Sequence, residues 1–393
     1  MNRIVVVGAS LAGLRGVEAL RANGFDGPIA LVGAESHLPY DRPPLSKEML
    51  SGAWERDRTV LRTQPYDDLD LDLHLGVAAT RLDLDRRQVA LADDHQLEFD
   101  GLLIATGATP RQLPDVPDLD GIFTLRTIDD CLAIRDRLDS GPRVCVIGGG
   151  FIGAEVAATC RGRGLDVTVV EALPQPMVRG LGERLGATLA ALHRSHGVDL
   201  RTAVSVEAIE GDSHVEAVRL GDGTRVACDV LIIAIGVVPE TRWLEGSGLT
   251  LDNGVVCDAT LKAAPGVVAA GDVARWSNPR FGGELMRLEH WTNAVESGVH
   301  AAGTLLGAAE PFAPVPFVWS DQYDVKIQAA GRFGPDDEML MVDGALEEFR
   351  FAAAFGRGGR LVGALGFSRP RQLMLLRRLI AEGAPLSAAH EIP

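Results

Sequence analysis

Val144-Cys145-Val146-Ile147 runs directly into Gly148-Gly149-Gly150-Phe151-Ile152-Gly153. The apolar run reads as a buried strand, and the stretch that Gly153 opens reads as a helix. Downstream, Val167 to Val170 forms a second apolar run and closes on Glu171. The same order stands at the start of the chain: Ile4 to Val7, then Gly8-Ala9-Ser10-Leu11-Ala12-Gly13, then Leu31-Val32 and Glu35. In such a unit the first glycine makes the tight strand-to-helix turn and the second lets the backbone approach a pyrophosphate. The third lets the helix lie close on the strand, and the helix N-terminus offers free N–H groups to the phosphates. The acid roughly 20 residues on accepts hydrogen bonds from a ribose. A lone glycine triplet is weak evidence, but strand, turn, helix, strand and acid occur here in order, twice. The chain is expected to hold two dinucleotides, and two dinucleotides facing each other imply electron transfer. Ser10 replaces the middle glycine of the first copy, a tolerated variation with a slightly less intimate phosphate approach.

With 393 residues the chain is long enough for two or three domains. No apolar run reaches the ~18 residues of a membrane span, and no signal-type segment precedes Ile4. A cytoplasmic protein is the expectation. The net charge of −16 argues against nucleic acid as a partner. Phe355 to Ile380 departs from that balance, with Arg357, Arg360, Arg369, Arg371, Arg377 and Arg378 and no acid. It is either a solvated surface or a docking patch for an acidic protein. The five cysteines at 131, 145, 160, 228 and 257 form no C-x-x-C or other close pair, which points to buried, inert thiols and no zinc or redox dithiol. His193 and His196 sit one turn apart, but no further ligand accompanies them, so they read as a polar helix end and no metal is expected.

Between the two units lie a Pro-rich loop, His37 to Lys47, short alternating segments (Arg81 to Asp85, Gln88 to Leu91) that read as a small antiparallel sheet, and a Pro/Asp-rich linker, Pro110 to Gly121. Leu102 to Ile104 leads into Thr106-Gly107, and Val230 to Ile235 leads into Gly236, so the two halves share a layout. After Pro311, Phe317 to Ala330, Phe349 to Phe355 and Arg360 to Phe367 read as strands, and Gln372 to Glu382 as a closing helix.

Gly8-x-Ser10-x-x-Gly13, Ala105-Thr106-Gly107-Ala108-Thr109-Pro110, the second Gly-x-Gly-x-x-Gly and Ala270-Gly271-Asp272-Val273 together resemble the two-dinucleotide-binding flavoprotein reductases over essentially the whole chain. Closer still, Pro39-Tyr40-Asp41-Arg42-Pro43-Pro44-Leu45-Ser46-Lys47 and Trp319-Ser320-Asp321-Gln322-Tyr323 resemble the FAD-dependent NADH:ferredoxin reductases of oxygenase systems. The resemblance implies an α/β fold with two Rossmann-like dinucleotide-binding domains, glutathione-reductase-like, plus a C-terminal α+β interface domain. The implied bounds are 1–110 and 241–312 for a discontinuous FAD domain, 111–240 for an NAD domain and 313–393 for the interface domain.

By the same resemblance FAD sits on Gly8, Ser10, Ala12 and Gly13, with Glu35 on the adenosine ribose and Asp272 near the ribityl chain and pyrophosphate. Thr106 and Gly107 line that site, and Arg42, Ala79, Arg126 and Trp291 are further contacts. NADH sits on Gly148, Gly150, Phe151, Ile152 and Gly153, with Gly236 beside them. Glu155 alone is an early-helix acid favoured by the dipole. In similar reductases a lysine and this glutamate pair beside the flavin's reactive nitrogen, which assigns Lys47 and Glu155 a catalytic role, with charge stabilising the reduced flavin. Trp319 is either a core aromatic or, by resemblance, packed near the flavin–nicotinamide site or the electron exit. Glu171 suits the two ribose hydroxyls of NADH and would repel a 2′-phosphate, and no basic residue follows until Arg179.

Disulfide reductases of this superfamily carry a cysteine pair soon after the first unit, and His37 to Lys47 has none. Nor does the C-terminal tail carry their His-x-x-x-x-Glu base, since His390 and Glu391 are adjacent. Electrons are therefore expected to leave the flavin for an external one-electron acceptor, a [2Fe–2S] ferredoxin. Rubredoxin reductases, monodehydroascorbate reductases, nitrite-reductase-like flavoproteins and redox-sensing flavoproteins like apoptosis-inducing factor share the four motifs and stand as alternatives.

Overall fold

Ile4–Val7 and Val144–Ile147 are interior strands with every residue 5 % exposed or less. Continuous Val and Ile suit parallel strands covered on both faces, and each such side chain contributes about 1.5–3 kcal/mol on burial. The computed structural model describes residues 1–393. Contacts group the chain into one unit of Met1–Asp41, Thr59–Thr109 and Val238–Pro316, and another of Arg42–Arg58, Pro110–Val237 and Phe317–Pro393.

In the first unit six strands form one sheet, in the order Lys262–Ala264, Val267–Ala269, Gly101–Ile104, Ile4–Val7, Ile29–Gly33 and Leu71–Leu75. All pairs are parallel except the first. Val7 lies level with Val32 and Ile104, and Ile104 with Ala269. The chain therefore leaves four strands along one edge, at Gly8, Gly33, Ala105 and Ala270. Helix Leu11–Ala22 packs on helix Trp291–Leu305. At Gly298 an added Cβ would fall 2.4 Å from the Ala12 carbonyl oxygen, so the helix backbones touch. Ala79–Asp83, Gln88–Leu91 and Gln96–Glu98 form the small antiparallel sheet read from the alternation.

In the second unit a parallel sheet runs in the order Asp199–Thr202, Val167–Glu171, Val144–Ile147, Val230–Ile233 and Ile122–Phe123. Thr127 and Asp130 start helix Ile128–Leu138 with a reciprocal capping box. A five-stranded antiparallel sheet takes the order Phe317–Gln322, Val325–Gly331, Arg360–Phe367, Arg350–Arg357 and Glu338–Ala345. Helix Pro370–Glu382 packs on it. The expected strand Phe317 to Ala330 is in fact a hairpin. Gln322 and Val325 pair across Tyr323 and Asp324, and Tyr323 takes a left-handed φ of 57°. Leu181, Leu185, Leu189 and Leu192 of helix Val178–Ser195 share a core with Val325, Ile327, Phe351 and Phe367 of this sheet. No helix is long and apolar enough to cross a membrane.

Candidate functional site

At the edge of the first sheet two glycines are fixed by packing. A Cβ on Gly8 would lie 2.0 Å from the Ala105 carbonyl oxygen, and one on Gly13 would lie 1.9 Å from the Gly8 carbonyl oxygen. Gly8 also holds φ at +123°. Ser10 is the N-cap of helix Leu11–Ala22, its side chain is not turned onto the helix, and the first turn contains no acid. The leading N–H groups and their positive partial charge are thus directed to an anion. A Cβ on Gly271 would come within 3.0 Å of the Ala12 Cβ, so the turn carrying Asp272 lies against the first turn of this helix. The Gly271 N–H donates to Ser297 Oγ at 2.8 Å and fixes that turn.

Glu35 accepts from the Tyr40 phenol at 2.5 Å. Thr106 Oγ1 donates to the Glu240 carbonyl at 2.8 Å, and the Glu240 N–H returns to the Gly107 carbonyl at 3.0 Å. Trp291 opens its helix and donates from Nε1 to Asp41 at 2.7 Å. Ala79 opens the small sheet, just beyond Gly76 and Val77, whose N–H groups donate to the Glu35 and Gly33 carbonyls at 3.0 Å. This edge brings Gly8, Ser10, Ala12, Gly13, Thr106 and Asp272 together and fits a dinucleotide. Arg42 and Arg126 meet in the other unit, where Arg42 donates to the Arg126 carbonyl at 2.6 Å.

The second cradle repeats the packing. A Cβ on Gly148 would lie 2.3 Å from the Ala234 carbonyl oxygen, and one on Gly153 would lie 2.0 Å from the Gly148 carbonyl oxygen. Gly150 differs, with no atom within 4 Å of such a Cβ and an ordinary φ of −76°. Neither packing nor backbone conformation requires glycine there, which leaves the loop surface open at this position. Glu171 accepts the N–H of Gly149 at 2.7 Å and of Leu173 at 2.8 Å, which locks its carboxylate beside the glycine loop. Phe151 and Ile152 form the first turn of helix Phe151–Gly162, with Ile152 44 % exposed. Gly236 follows strand Val230–Ile233, and its carbonyl accepts from Arg111 N–H at 2.9 Å.

Lys47 and Glu155 form a pair, with Nζ 2.7 Å from Oε2. Glu155 is 4 % exposed, and a carboxylate buried to that extent needs both a counter-charge and hydrogen bonds. Ser46 Oγ donates to Oε2 at 2.5 Å and Ser320 Oγ to Oε1 at 2.6 Å. The Pro43–Ser46 turn presents Lys47, and Thr159 holds it through the Ser46 carbonyl at 2.7 Å. Neither serine was singled out from the sequence, although both stand inside the quoted segments 39–47 and 319–323. Tyr40 and Asp41, which hold Glu35 and Trp291, were also passed over in the same loop. Trp319 is half-buried on the strand Phe317–Gln322. Because alternate residues face opposite ways, it lies on the face opposite Ser320.

His193 and His196 do stand at the end of helix Val178–Ser195, but His193 is buried there: it is 3 % exposed, and its ring contacts Gln322 Oε1 at 3.0 Å and the Tyr323 hydroxyl at 2.9 Å. His196 stacks on Tyr323 with ring centroids 3.7 Å apart. The arginine stretch is matched in large part. Arg357 grips both oxygens of Asp337 at 2.7 Å, Arg369 pairs with Asp343, and Arg378 pairs with Glu382. Arg377 lies over the Phe317 ring. This pairing favours a structural surface over a docking patch. All five cysteines are buried and unbridged, and burial pushes the thiols of Cys131, Cys160 and Cys257 up to about 12.

Comparison with known proteins shows the family. Residues 2–298 match the pyridine nucleotide-disulphide oxidoreductase family and residues 317–391 match the reductase C-terminal domain. Rhodocoxin reductase of Rhodococcus erythropolis is 38% identical over 389 residues, 98% of this chain and 90% of that protein. The ferredoxin–NAD(+) reductase component of the anthranilate 1,2-dioxygenase system of Burkholderia cepacia is 38% identical over 386 residues, 97% of this chain and 94% of that protein. The crystal structure of the covalent putidaredoxin reductase–putidaredoxin complex matches with a TM-score of 0.94 at 33% identity, covering 98% of this chain and 94% of the other. The chain therefore belongs to the pyridine nucleotide-disulphide oxidoreductase family and carries a reductase C-terminal domain over residues 317–391.

Proposed function

We propose that this chain is a cytoplasmic, FAD-containing ferredoxin reductase that takes a hydride from NADH and passes single electrons to a [2Fe–2S] ferredoxin serving an oxygenase. One observation carries this reading: two built dinucleotide cradles share a chain in which every cysteine is buried. Burial pushes the thiols of Cys131, Cys160 and Cys257 up, away from the thiolate that a disulfide relay needs, and the loop His37 to Lys47 holds no cysteine, which supports an acceptor outside the protein. Five unbridged cysteines also suit a reducing compartment. The names of the relatives, a rhodocoxin reductase and a ferredoxin–NAD(+) reductase component, point the same way.

Bound FAD supplies the conversion between hydride and single-electron chemistry. The protein binds and orients. Gly8, Ser10, Ala12 and Gly13 take the FAD pyrophosphate on a helix N-terminus, Glu35 takes the adenosine ribose, and Asp272, Thr106 and Gly107 line the same edge. Arg42, Ala79, Arg126 and Trp291 are the outer contacts of that site. Gly148, Gly150, Phe151, Ile152 and Gly153 take the NADH pyrophosphate, Glu171 takes its ribose hydroxyls, and Gly236 borders the cradle. Lys47, held by Glu155, supplies fixed positive charge toward the flavin, and Trp319 stands at the electron exit.

Stopped-flow reduction of the purified protein by NADH, followed by mixing with [2Fe–2S] ferredoxins, tests the reading. The protein should be yellow, bleach on NADH and reduce a ferredoxin rapidly. A colourless, folded preparation that takes up no FAD overturns it. Rapid bleaching with slow reduction of every ferredoxin would instead favour a redox-sensing flavoprotein.

A further inference from the structure

The Glu155 carboxylate is the end of a longer structure within the second unit. A carboxylate accepts only, so Ser320 spends its proton on Oε1 at 2.6 Å. Gln322 Nε2 lies 3.1 Å from Ser320 Oγ and is the donor there. Its Oε1 lies 3.0 Å from His193 Nε2, which must then carry the ring proton. Burial holds the His193 ring neutral, with a pKa pushed down to about 4. Nδ1 is therefore bare and accepts from the Tyr323 hydroxyl at 2.9 Å. Every donor in this sequence points toward Glu155, and Ser320 and Gln322 are fully buried.

We propose that Tyr323, His193, Gln322 and Ser320 form a one-way hydrogen-bond chain that fixes the Glu155 carboxylate and, through it, the position of the Lys47 charge. His193 and Gln322 are thus positioning residues for the flavin reaction, a role that rests on the reading of Lys47 as the flavin's charge partner. The hydroxyl of Ser46 holds Oε2 beside Lys47, so Oε1 is the oxygen whose direction the chain sets. Without Gln322, Ser320 is free to turn its proton elsewhere, and the buried carboxylate loses one of its charge-assisted bonds. His193 joins helix Val178–Ser195 to strand Phe317–Gln322, so the orientation of Glu155 is tied to the packing between those two elements.

The test uses the FAD-loaded protein and the midpoint potential of its flavin. Lys47→Ala should lower the potential. Gln322→Met and His193→Phe, which touch neither Lys47 nor Glu155, should each lower it in the same direction by about tenfold in the reduction equilibrium, roughly 30 mV for a two-electron couple. In the Lys47→Ala background neither should shift it further. If Lys47→Ala moves the potential and the other two do not, or if they add fully to it, the chain does not act through Lys47 and the proposal fails. If Lys47→Ala moves nothing, the reading of the flavin site fails first and the proposal with it. An independent measurement needs no variant to fold: ¹⁵N NMR of histidine-labelled holoprotein should show a neutral ring protonated on Nε2 from pH 8 to pH 5. The absence of such a ring among the nine histidines overturns the proposal.

Discussion

Gly8 and Gly13 in the first nucleotide unit, and Gly148 and Gly153 in the second, face the same obstruction. An added Cβ would lie 1.9 to 2.3 Å from a backbone carbonyl oxygen in all four cases. The position between them is Ser10 in one unit and Gly150 in the other, where a Cβ would meet nothing within 4 Å. The acids differ as well. Glu171 is held by N–H groups of Gly149 and Leu173, one of them in the glycine loop itself, whereas Glu35 is held by the phenol of Tyr40 from the Pro-rich loop. The comparison separates glycines that build the turn from the one that packing leaves free, which the proposed function gives to the ligand. It also separates an acid locked to its own cradle from one tethered to a neighbouring loop.

The largest effects should come from the packed glycines. Gly8→Ala and Gly153→Ala each force a backbone carbonyl to move, at a cost of about 3 kcal/mol or more, read as a fall in the urea midpoint. An unchanged midpoint for Gly153→Ala would break the claim that packing fixes it. Acid should act next, and on the second unit. The unfolded chain takes up a proton on His193 near pH 6.5 that the folded chain refuses until about 4. Stability should therefore fall as pH drops through that window, by roughly 3 kcal/mol in full. The slope of unfolding free energy against pH should be flatter in His193→Phe, and an equal slope would show that the ring is not held neutral. Glu171→Gln retains only one accepting oxygen for two N–H donors, so it should lose about 1–3 kcal/mol of stability and about tenfold of the preference for NADH over NADPH. Gly150→Ala should leave the urea midpoint within about 0.5 kcal/mol and weaken NADH about tenfold in a binding titration, some 1.4 kcal/mol. An effect on stability and none on NADH would reverse the assignment.

The nucleotide units were legible in the sequence because their signals are local. An apolar run, a glycine spacing and an acid lie within 28 residues in one unit (Val144 to Glu171) and 32 in the other (Ile4 to Glu35), and strand, turn and helix follow from them. Around Glu155 the resemblance supplied Lys47, but the hydroxyls that hold the carboxylate were not legible. Its partners Ser46 and Ser320 stand 109 and 165 residues away along the chain, and no periodicity links such positions. The burial of His193 at its helix end was not legible for the same reason. A histidine near a helix end is normally solvated, and here Gln322 and Tyr323, 129 and 130 residues on, supply what allows it to be buried. The hairpin at Tyr323 was hidden because its left-handed residue is a tyrosine, not the Gly or Asn that usually marks such a turn. The sequence left the arginine stretch open between two readings because two of its partners, Asp337 and Asp343, precede it and reach it only through the sheet.

The smallest expected effect tests the looser of the two acids. Tyr40→Phe removes only the hydroxyl that donates to Glu35 and leaves the ring, 8 % exposed, in its place. Glu35 keeps its position along the chain and loses one donor, whose net worth is about 0.5–1.5 kcal/mol. FAD should therefore dissociate severalfold faster, followed by the recovery of free-flavin fluorescence on dilution, with NADH affinity unchanged. If Tyr40 serves FAD only by tethering Glu35, the double variant should be no worse than Glu35→Gln alone. Full additivity would mean that the phenol and the carboxylate serve FAD independently, and that the first cradle holds its acid by some other contact.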